Sequence, residues 1–432
     1  MGMEQIKVWF AFAERKTDFP TEIMAGIATF LSMLYLVVMI PAMFSRGGMD
    51  FGSVYAASIL TIMSATLLMG IRSNCPIAVA PSIGISGYLA YAVIIAEGVP
   101  WQEGMGAALV AGSVLLVVSL PPLRAMLFRA VPASLKAAVS VGLGFFVALI
   151  GLEHGRLVVS SPMTTVMIGD LSDPIAALTL FGIFLTLLLM GLGLRCAVFI
   201  GMGVTAGASF ALGIMDVPSA PFFLPVAFSQ TFGQLSLGSP ETMWSVVLTL
   251  FLATLFETTG TMFGLSRQMN SGTKETHASF QGALLSSAIG SAIGALTGAG
   301  MTTARLESGT GIAAGGRTGF TSVVTAVLFG GLLFCAPIAK MLADIPSITA
   351  PALILSGAAL MESVADINWK DYTEAFPAFF TLLLLPLSFS ITIGLGVGFV
   401  LYAFLKAATG QGRLVHPLLY VLAVLFMLQF VF

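Results

Sequence analysis

Three ionisable side chains lie inside otherwise apolar sequence: Glu257 in "LFLATLFETTGTMFG", and Arg305 and Glu307 in "GAGMTTARLESGTGIAAGGRTG" (298–319). At membrane depth each such group costs at least about 2.5–3.5 kcal/mol on insertion scales, so each is a functional candidate by default. Two carboxylates can accept hydrogen bonds from the N–H groups of a planar polar ligand and can exchange protons. A guanidinium adds five donors and a permanent charge. The alternative is a buried ion pair of Arg305 with Glu257 or Glu307 that only fixes the fold. Glu362, in "LILSGAALMESVADI", falls near a span end and reads as structural. His154 and His416 lie near span ends and His277 in a loop, so none reads as a proton relay.

The elements that position these groups follow from composition. The 432 residues are 57% hydrophobic and 9% charged, with 47 glycines and 33 phenylalanines. A soluble protein carries roughly 25% charged residues, so this composition requires a polytopic membrane protein. A net charge of −2 excludes a nucleic-acid-binding face. Cys75, Cys196 and Cys335 are far apart, form no CxxC or Cys/His cluster, and read as buried apolar thiols rather than metal ligands. Residues 1–20, with Lys7, Arg15 and Lys16 among Glu4, Glu14 and Asp18, read as an amphipathic cytoplasmic lead-in rather than a cleaved signal peptide.

Apolar runs of spanning length lie near 21–45, 51–70, 76–96, 103–121, 134–153, 174–193 and 195–214. After a polar interval of about 215–240, more lie near 241–266, 278–297, 300–315, 318–337, 349–365, 374–390 and 391–408. A last run, 415–431, is either a further span or an interfacial helix. Loops expected on the side of the N-terminus carry Arg72, Arg124, Arg129, Lys136, Arg195, Arg267, Lys274, Arg317 and Lys370. The opposite loops carry Glu97, Glu103, Asp170, Asp173 and Asp216, with Arg46, Arg156 and Lys340 as basic exceptions. This bias places the N-terminus in the cytoplasm.

Seven spans per half is an odd number, so the second half must enter the membrane inverted. The first repeat then covers 21–230, the second 231–408, and 409–432 is a C-terminal apolar segment. The third run of each half is broken. In "NCPIAVAPSIGISGYLAYAV", Pro76 and Pro81 forbid helix before Ser82, with helix from about Ile83; "GAGMTTAR" is extended and helical from about Leu306. Such backbone survives at membrane depth only where protein or a wet cavity satisfies it, and pairing of the two pieces as short antiparallel strands would do so. Each half-helix then starts at mid-membrane with free N–H groups and a partial positive charge. Gly84 and Gly87, with Gly309 and Gly311, allow close approach to a ligand or pack helices in small-xxx-small fashion. The candidate lining is Gly84, Ile85 and Ser86 from the first break, Thr303, Arg305 and Glu307 from the second, and Glu257 from span 8.

These segments resemble the nucleobase–cation symporter-2 superfamily, specifically its azaguanine-type branch of adenine/guanine/hypoxanthine permeases. The resemblance runs through "TEIMAGIATFLSMLYLVVMIPAMF", "APSIGISGYLAYAV", "LFETTGT", "LESGTGIAAGGRTGFTSVV" and "APALILSGAALMESVADINWKDYTEAFPAF". It implies fourteen spans in two inverted repeats, with a core of spans 1–4 and 8–11 and a gate of spans 5–7 and 12–14. It also implies proton-coupled uptake of purine bases, dimerisation through the gate, and contact of Glu257 and Glu307 with base and coupling proton. Three positions depart from the usual pattern: Ser86 replaces Asn in "GLNAYFAY", Glu257 replaces Asp, and Arg305-Leu306 replaces Tyr-Val or similar. The added cation at Arg305 either favours oxidised bases such as xanthine or urate, or neutralises a neighbouring glutamate.

The resulting expectation is an all-α polytopic symporter of the bacterial inner membrane, importing a purine base by an elevator-like movement. Its partners are the base, protons, membrane lipid and a second copy of the chain, with no cofactor beyond the proton gradient. The rival on the same architecture is a sulfate- or bicarbonate-like anion carrier using Arg305. An intramembrane hydrolase is remote, because no HExxH, GxSxG or Ser/Lys pair is present.

Overall fold

The structure, a computed structural model, describes residues 3–120, 131–161, 165–194, 196–214, 230–238, 240–269, 273–388 and 391–431. Arg124, Arg129, Arg195 and Asp216, used above for orientation, lie outside these, as do most of the polar interval and the side chains of Arg267, Lys274 and His277.

Among the described residues, eight helices are long and apolar enough to cross a membrane. They are Phe19–Arg46, Phe51–Ser73, Trp101–Val118, Ala133–His154, Pro174–Gly191, Met243–Met262, Ser279–Thr297 and Pro346–Asp366. Shorter apolar helices at Ile83–Ala96, Ala197–Ala211, Tyr372–Leu387 and Ile393–Ala408 stand where other spans were read. The eleventh run is a pair, Gly319–Phe334 and Ala336–Ala343, bent by 83°. Pro337 opens the second piece, where its missing N–H costs nothing and its ring ends the preceding helix. The tenth is the shortest, a six-residue helix Ser308–Ala313. Glu307 occupies its N-cap position, so the helix begins two residues later than the expected Leu306. The last run folds as a helix, Pro417–Val431, packed on Ile391–Ala408 through Phe399 and Phe426, whose ring centroids are 5.8 Å apart.

Helix ends follow local chemistry. Asp50 accepts a hydrogen bond from Ser53 N at 2.7 Å, and Asp173, followed by Pro174, accepts from Ile175 N at 2.7 Å. A hydrogen bond from Arg156 at 2.7 Å holds the Asp173 carboxyl below the usual carboxylate range. One element was not anticipated. Residues Val158–Ser161 and Thr165–Ile168, rich in β-branched side chains, form an antiparallel pair between the fifth and sixth spans.

Two groups of helices pack mainly within themselves. One comprises Phe19–Arg46, Phe51–Ser73, Trp101–Val118, Pro240–Met269, Thr273–Thr297 and Gly319–Gly331, together with the two breaks. The other comprises Ala133–His154, Pro174–Gly191, Ala197–Ala211, Pro346–Ala359, Tyr372–Leu387 and Ile391–Ala408. Small residues set the closest approaches. A Cβ at Gly319 would collide with the Gly70 carbonyl, and one at Gly357 with that of Gly144.

A fully buried carboxylate at the start of the first span ties the first group together. Glu22 accepts hydrogen bonds from Arg317 N (2.9 Å), Thr318 N (3.2 Å), Thr321 N (3.2 Å), Thr17 Oγ1 (2.9 Å) and Thr321 Oγ1 (2.5 Å). It thus satisfies orphan N–H groups at the N-terminus of Gly319–Gly331, where the helix dipole favours an anion. The lead-in folds over the same place: Arg15 donates to Arg317 O at 2.8 Å, Asn74 donates to Phe10 O at 2.9 Å, and Phe10, Phe12 and Phe19 pack edge-on against Phe320. Glu22→Ala should therefore lower unfolding stability by roughly 3 kcal/mol, the order expected when several donors lose a charged acceptor. Thermal unfolding of purified protein in detergent checks this, and an unchanged midpoint would reduce Glu22 to a bystander.

Candidate functional site

The site is built where the two breaks meet. Strand β1 (Val79–Pro81) pairs antiparallel with a second strand, Thr302–Ala304, in the register Val79↔Ala304, Ala80↔Thr303, Pro81↔Thr302. The pairing continues through Ser82 N to Met301 O (3.0 Å) and Arg305 N to Ala78 O (2.9 Å). Ala78 N also donates to Ser308 Oγ at 3.0 Å, which locks the first residue of the short helix to the opposite strand. Backbone that a helix would have satisfied internally is thereby satisfied between the two halves of the chain.

Each strand delivers one hydroxyl to Glu257. Ser82, directly after Pro81, caps the helix from Ile83 by accepting from Ile85 N at 3.3 Å, and donates to Glu257 Oε2 at 2.6 Å. Thr303 donates to Glu257 Oε1 at 3.0 Å. Arg305 reaches both acids: Nη2 donates to Glu307 Oε1 at 2.8 Å, and Nη1 lies 3.6 Å from Glu257 Oε1. The Tyr35 hydroxyl, at the interruption between helices Phe19–Met33 and Leu36–Arg46, donates closely to the same Glu307 Oε1. Glu257 and Arg305 are 5% and 8% exposed. Glu307 Oε2 and Arg305 Nε are buried without a hydrogen-bond partner among the described residues. With both acids ionised, two carboxylates and one guanidinium leave a charge of −1 in low dielectric.

A cavity of about 430 Å³ adjoins these groups, within the range of small-molecule sites. Tyr35, Gly84, Glu257, Arg305 and Glu307 line one side, while Val147, Phe199, Leu355 and Leu360 from the other helix group line the opposite side. Of the residues singled out in the sequence, Gly84, Glu257, Arg305 and Glu307 reach the cavity wall. Thr303 stands behind Glu257 and acts on it through its hydroxyl. Ile85 and Ser86 are buried outside the lining, and Ser86 Oγ has no partner among the described residues. Gly311 packs on the first span, where a Cβ would collide with Thr29 and Ala25, so it serves close helix packing.

Tyr35 and Ser82 are not among the site residues read from the sequence. For Ser82 a signal existed, a serine between a proline and a glycine-rich helix start. A lone tyrosine in an apolar span gives none. Ser32 and Thr310, whose hydroxyls are 2.9 Å apart, extend the contact between the first span and the short helix and also line the cavity.

The sequence pattern described as the permease family matches residues 20–428. The guanine/hypoxanthine permease PbuO of Bacillus subtilis is 38% identical over 97% of this chain and 99% of its own length. The adenine permease AdeP of Escherichia coli is 33% identical over 100% of this chain and 97% of its own. Among solved structures, the transmembrane domain of the cyanobacterial bicarbonate transporter BicA is similar with a TM-score of 0.60 at 13% identity, over 88% of this chain and 97% of that one. That likeness speaks to the fold of inverted repeats alone.

Ser82 carries two duties, so its loss separates from that of a simple core serine. Ser82→Ala should cost roughly 1–3 kcal/mol of stability, removing a cap and leaving Glu257 short of a donor. Ser82→Thr retains the hydroxyl and should recover most of it. Equal unfolding midpoints for the alanine variant and wild type would contradict the bonding described.

Proposed function

The chain belongs to the permease family, within the nucleobase–cation symporter-2 transporters, and on that premise we propose that it imports a purine base together with protons. The observation that carries this reading is the convergence of Glu257, Glu307 and the two broken spans on one 430 Å³ cavity. A purine is planar, with ring N–H donors that suit carboxylate acceptors and apolar faces that suit Tyr35, Phe199 and the aliphatic wall. Two carboxylates close to one another and to the ligand are also groups able to take up and release a proton with it.

The two helix groups serve as core (spans 1–4 and 8–11) and gate (spans 5–7 and 12–14). The core carries every charged group of the site; the gate contributes apolar wall. An elevator-like movement of core past gate carries the loaded site between the two sides of the membrane. We place the protein in the bacterial inner membrane, N-terminus cytoplasmic, as a homodimer through the gate, working as a transporter without cofactor.

Arg305 bears on the rival reading. Its guanidinium is engaged by Glu307 and flanked by Glu257, so among the described residues the site has no uncompensated cation of the kind an anion carrier of this fold would need. Neutral purines such as hypoxanthine, guanine or adenine therefore suit it better than the urate anion.

Uptake of radiolabelled hypoxanthine into cells expressing the protein should be competed by purines and not by sulfate or bicarbonate; competition by the anions alone would overturn the reading. Glu257→Gln should abolish accumulation driven by a proton gradient, since an amide cannot exchange a proton, and wild-type accumulation would remove its coupling role. Glu307→Ala should weaken hypoxanthine binding to purified protein at least about tenfold, measured by calorimetry, through the loss of a charged acceptor. Unchanged affinity would assign Glu307 to the fold.

A further inference from the structure

We infer that Arg305 stands in for one coupling proton, so that this site carries a single proton per base although it holds two acids. The inference rests on the proton-coupled reading above and deepens it. Its basis is an asymmetry between the two carboxylates. Glu307 takes its two bonds, from the Arg305 guanidinium at 2.8 Å and from the Tyr35 hydroxyl, on one oxygen. Among the described residues Glu257 accepts hydrogen bonds from hydroxyls alone, Ser82 at 2.6 Å and Thr303 at 3.0 Å, and lies 3.6 Å from the guanidinium. A hydroxyl can turn to accept from a protonated carboxyl as readily as it donates to an ionised one, whereas a guanidinium has no acceptor. The environment of Glu257 thus accommodates a proton, and that of Glu307 is arranged around a carboxylate.

Charge counting gives the consequence. The ionisable groups lining the cavity are Tyr35 from the first span, Cys196 from the seventh, Glu257 from the eighth, and Arg305 and Glu307 from the tenth. With the tyrosine and cysteine neutral, Glu257, Arg305 and Glu307 sum to −1, and one proton brings the site to zero. The wall it must pass is apolar, formed by Val147, Phe199, Leu355 and Leu360. A net charge moved past such a surface is costly once the base has displaced water from the site, so the loaded core crosses in the neutral, singly protonated form, and the empty, water-filled core returns without the proton. The same two acids without the arginine would need two protons to reach neutrality.

The test is the equilibrium accumulation of hypoxanthine in proteoliposomes as a function of the imposed pH difference, with the membrane potential clamped at zero. One proton per base changes the accumulation ratio by about tenfold per pH unit, and two change it by about a hundredfold. Wild type should show the tenfold dependence and Arg305→Gln the hundredfold one. The double variant Arg305→Gln/Glu307→Gln, which removes cation and anion together, should return to tenfold. This equilibrium reading does not depend on transport rate or affinity, so slow variants still report. Wild type insensitive to the pH difference would overturn the proton-coupled reading itself. Tenfold in both wild type and Arg305→Gln would leave that reading standing and overturn the role of Arg305. Should Arg305→Gln fail to fold, a hundredfold dependence in wild type or in the double variant would still overturn it.

Discussion

A peptide group at the middle of a membrane must find its hydrogen-bond partners within the protein, and the architecture follows from where this chain chose to break that rule locally and mend it across the molecule. Pro76 and Pro81 rule out helix in one half; a glycine-rich approach loosens the other. The register Val79↔Ala304 to Pro81↔Thr302 joins the two, and each strand ends beside a helix start. The mend fixes the site as well as the backbone. Ser82 and Thr303, one on each side of the pairing, hold the two oxygens of Glu257, so the acid is oriented by the same contact that satisfies the strands.

The charged groups are then held in a graded way. Glu257 comes from an uninterrupted helix and meets the strands from outside. Arg305 and Glu307 come from the chain immediately after a strand, where one residue of slack separates them and the guanidinium spans the gap to both acids. Tyr35 adds a donor from the first span, whose far end is fixed by Glu22 to the backbone of Arg317, Thr318 and Thr321. Span 1 is thus bonded near its start to the N-terminus of the eleventh span and at its middle to the tenth, with Ser32 and Thr310 between. A ligand that draws on Glu307 draws on a unit, not on a loose side chain.

Much of this was legible in the sequence because it violates what an apolar span permits. Prolines next to alanines, a glutamate after ten mostly apolar residues, and an arginine two residues from a second glutamate are anomalies in themselves, and they marked the breaks, the strand pairing and the acids. What was not legible has no anomaly to show. Tyr35 is an ordinary residue in a span, and only the fold brings it to Glu307. Glu22 reads as a first-turn helix acid, and its backbone donors lie almost three hundred residues away in sequence. The sequence leaves Arg305 free either to read the ligand or to pair; the structure places its guanidinium 2.8 Å from Glu307. Ser86, which stands where the resembling family carries Asn, and its neighbour Ile85 are expected at the site, but a half-helix has a back as well as a front, and both are buried outside the cavity wall. The shortness of the tenth helix follows from Gly315 and Gly316, the former at φ +103°, a conformation that ends a helix.

On the proposed function, the acids beside the paired strands hold a purine base. Determination of the structure by electron cryomicroscopy in lipid nanodiscs with saturating hypoxanthine tests it most directly. Planar density is expected in the cavity between Tyr35 and the wall of Val147 and Leu355, within hydrogen-bond distance of Glu257 and Glu307, with Arg305 still bonded to Glu307. Density for the base elsewhere, or a cavity that stays empty of base while sulfate or bicarbonate occupies the Arg305 guanidinium, would contradict it.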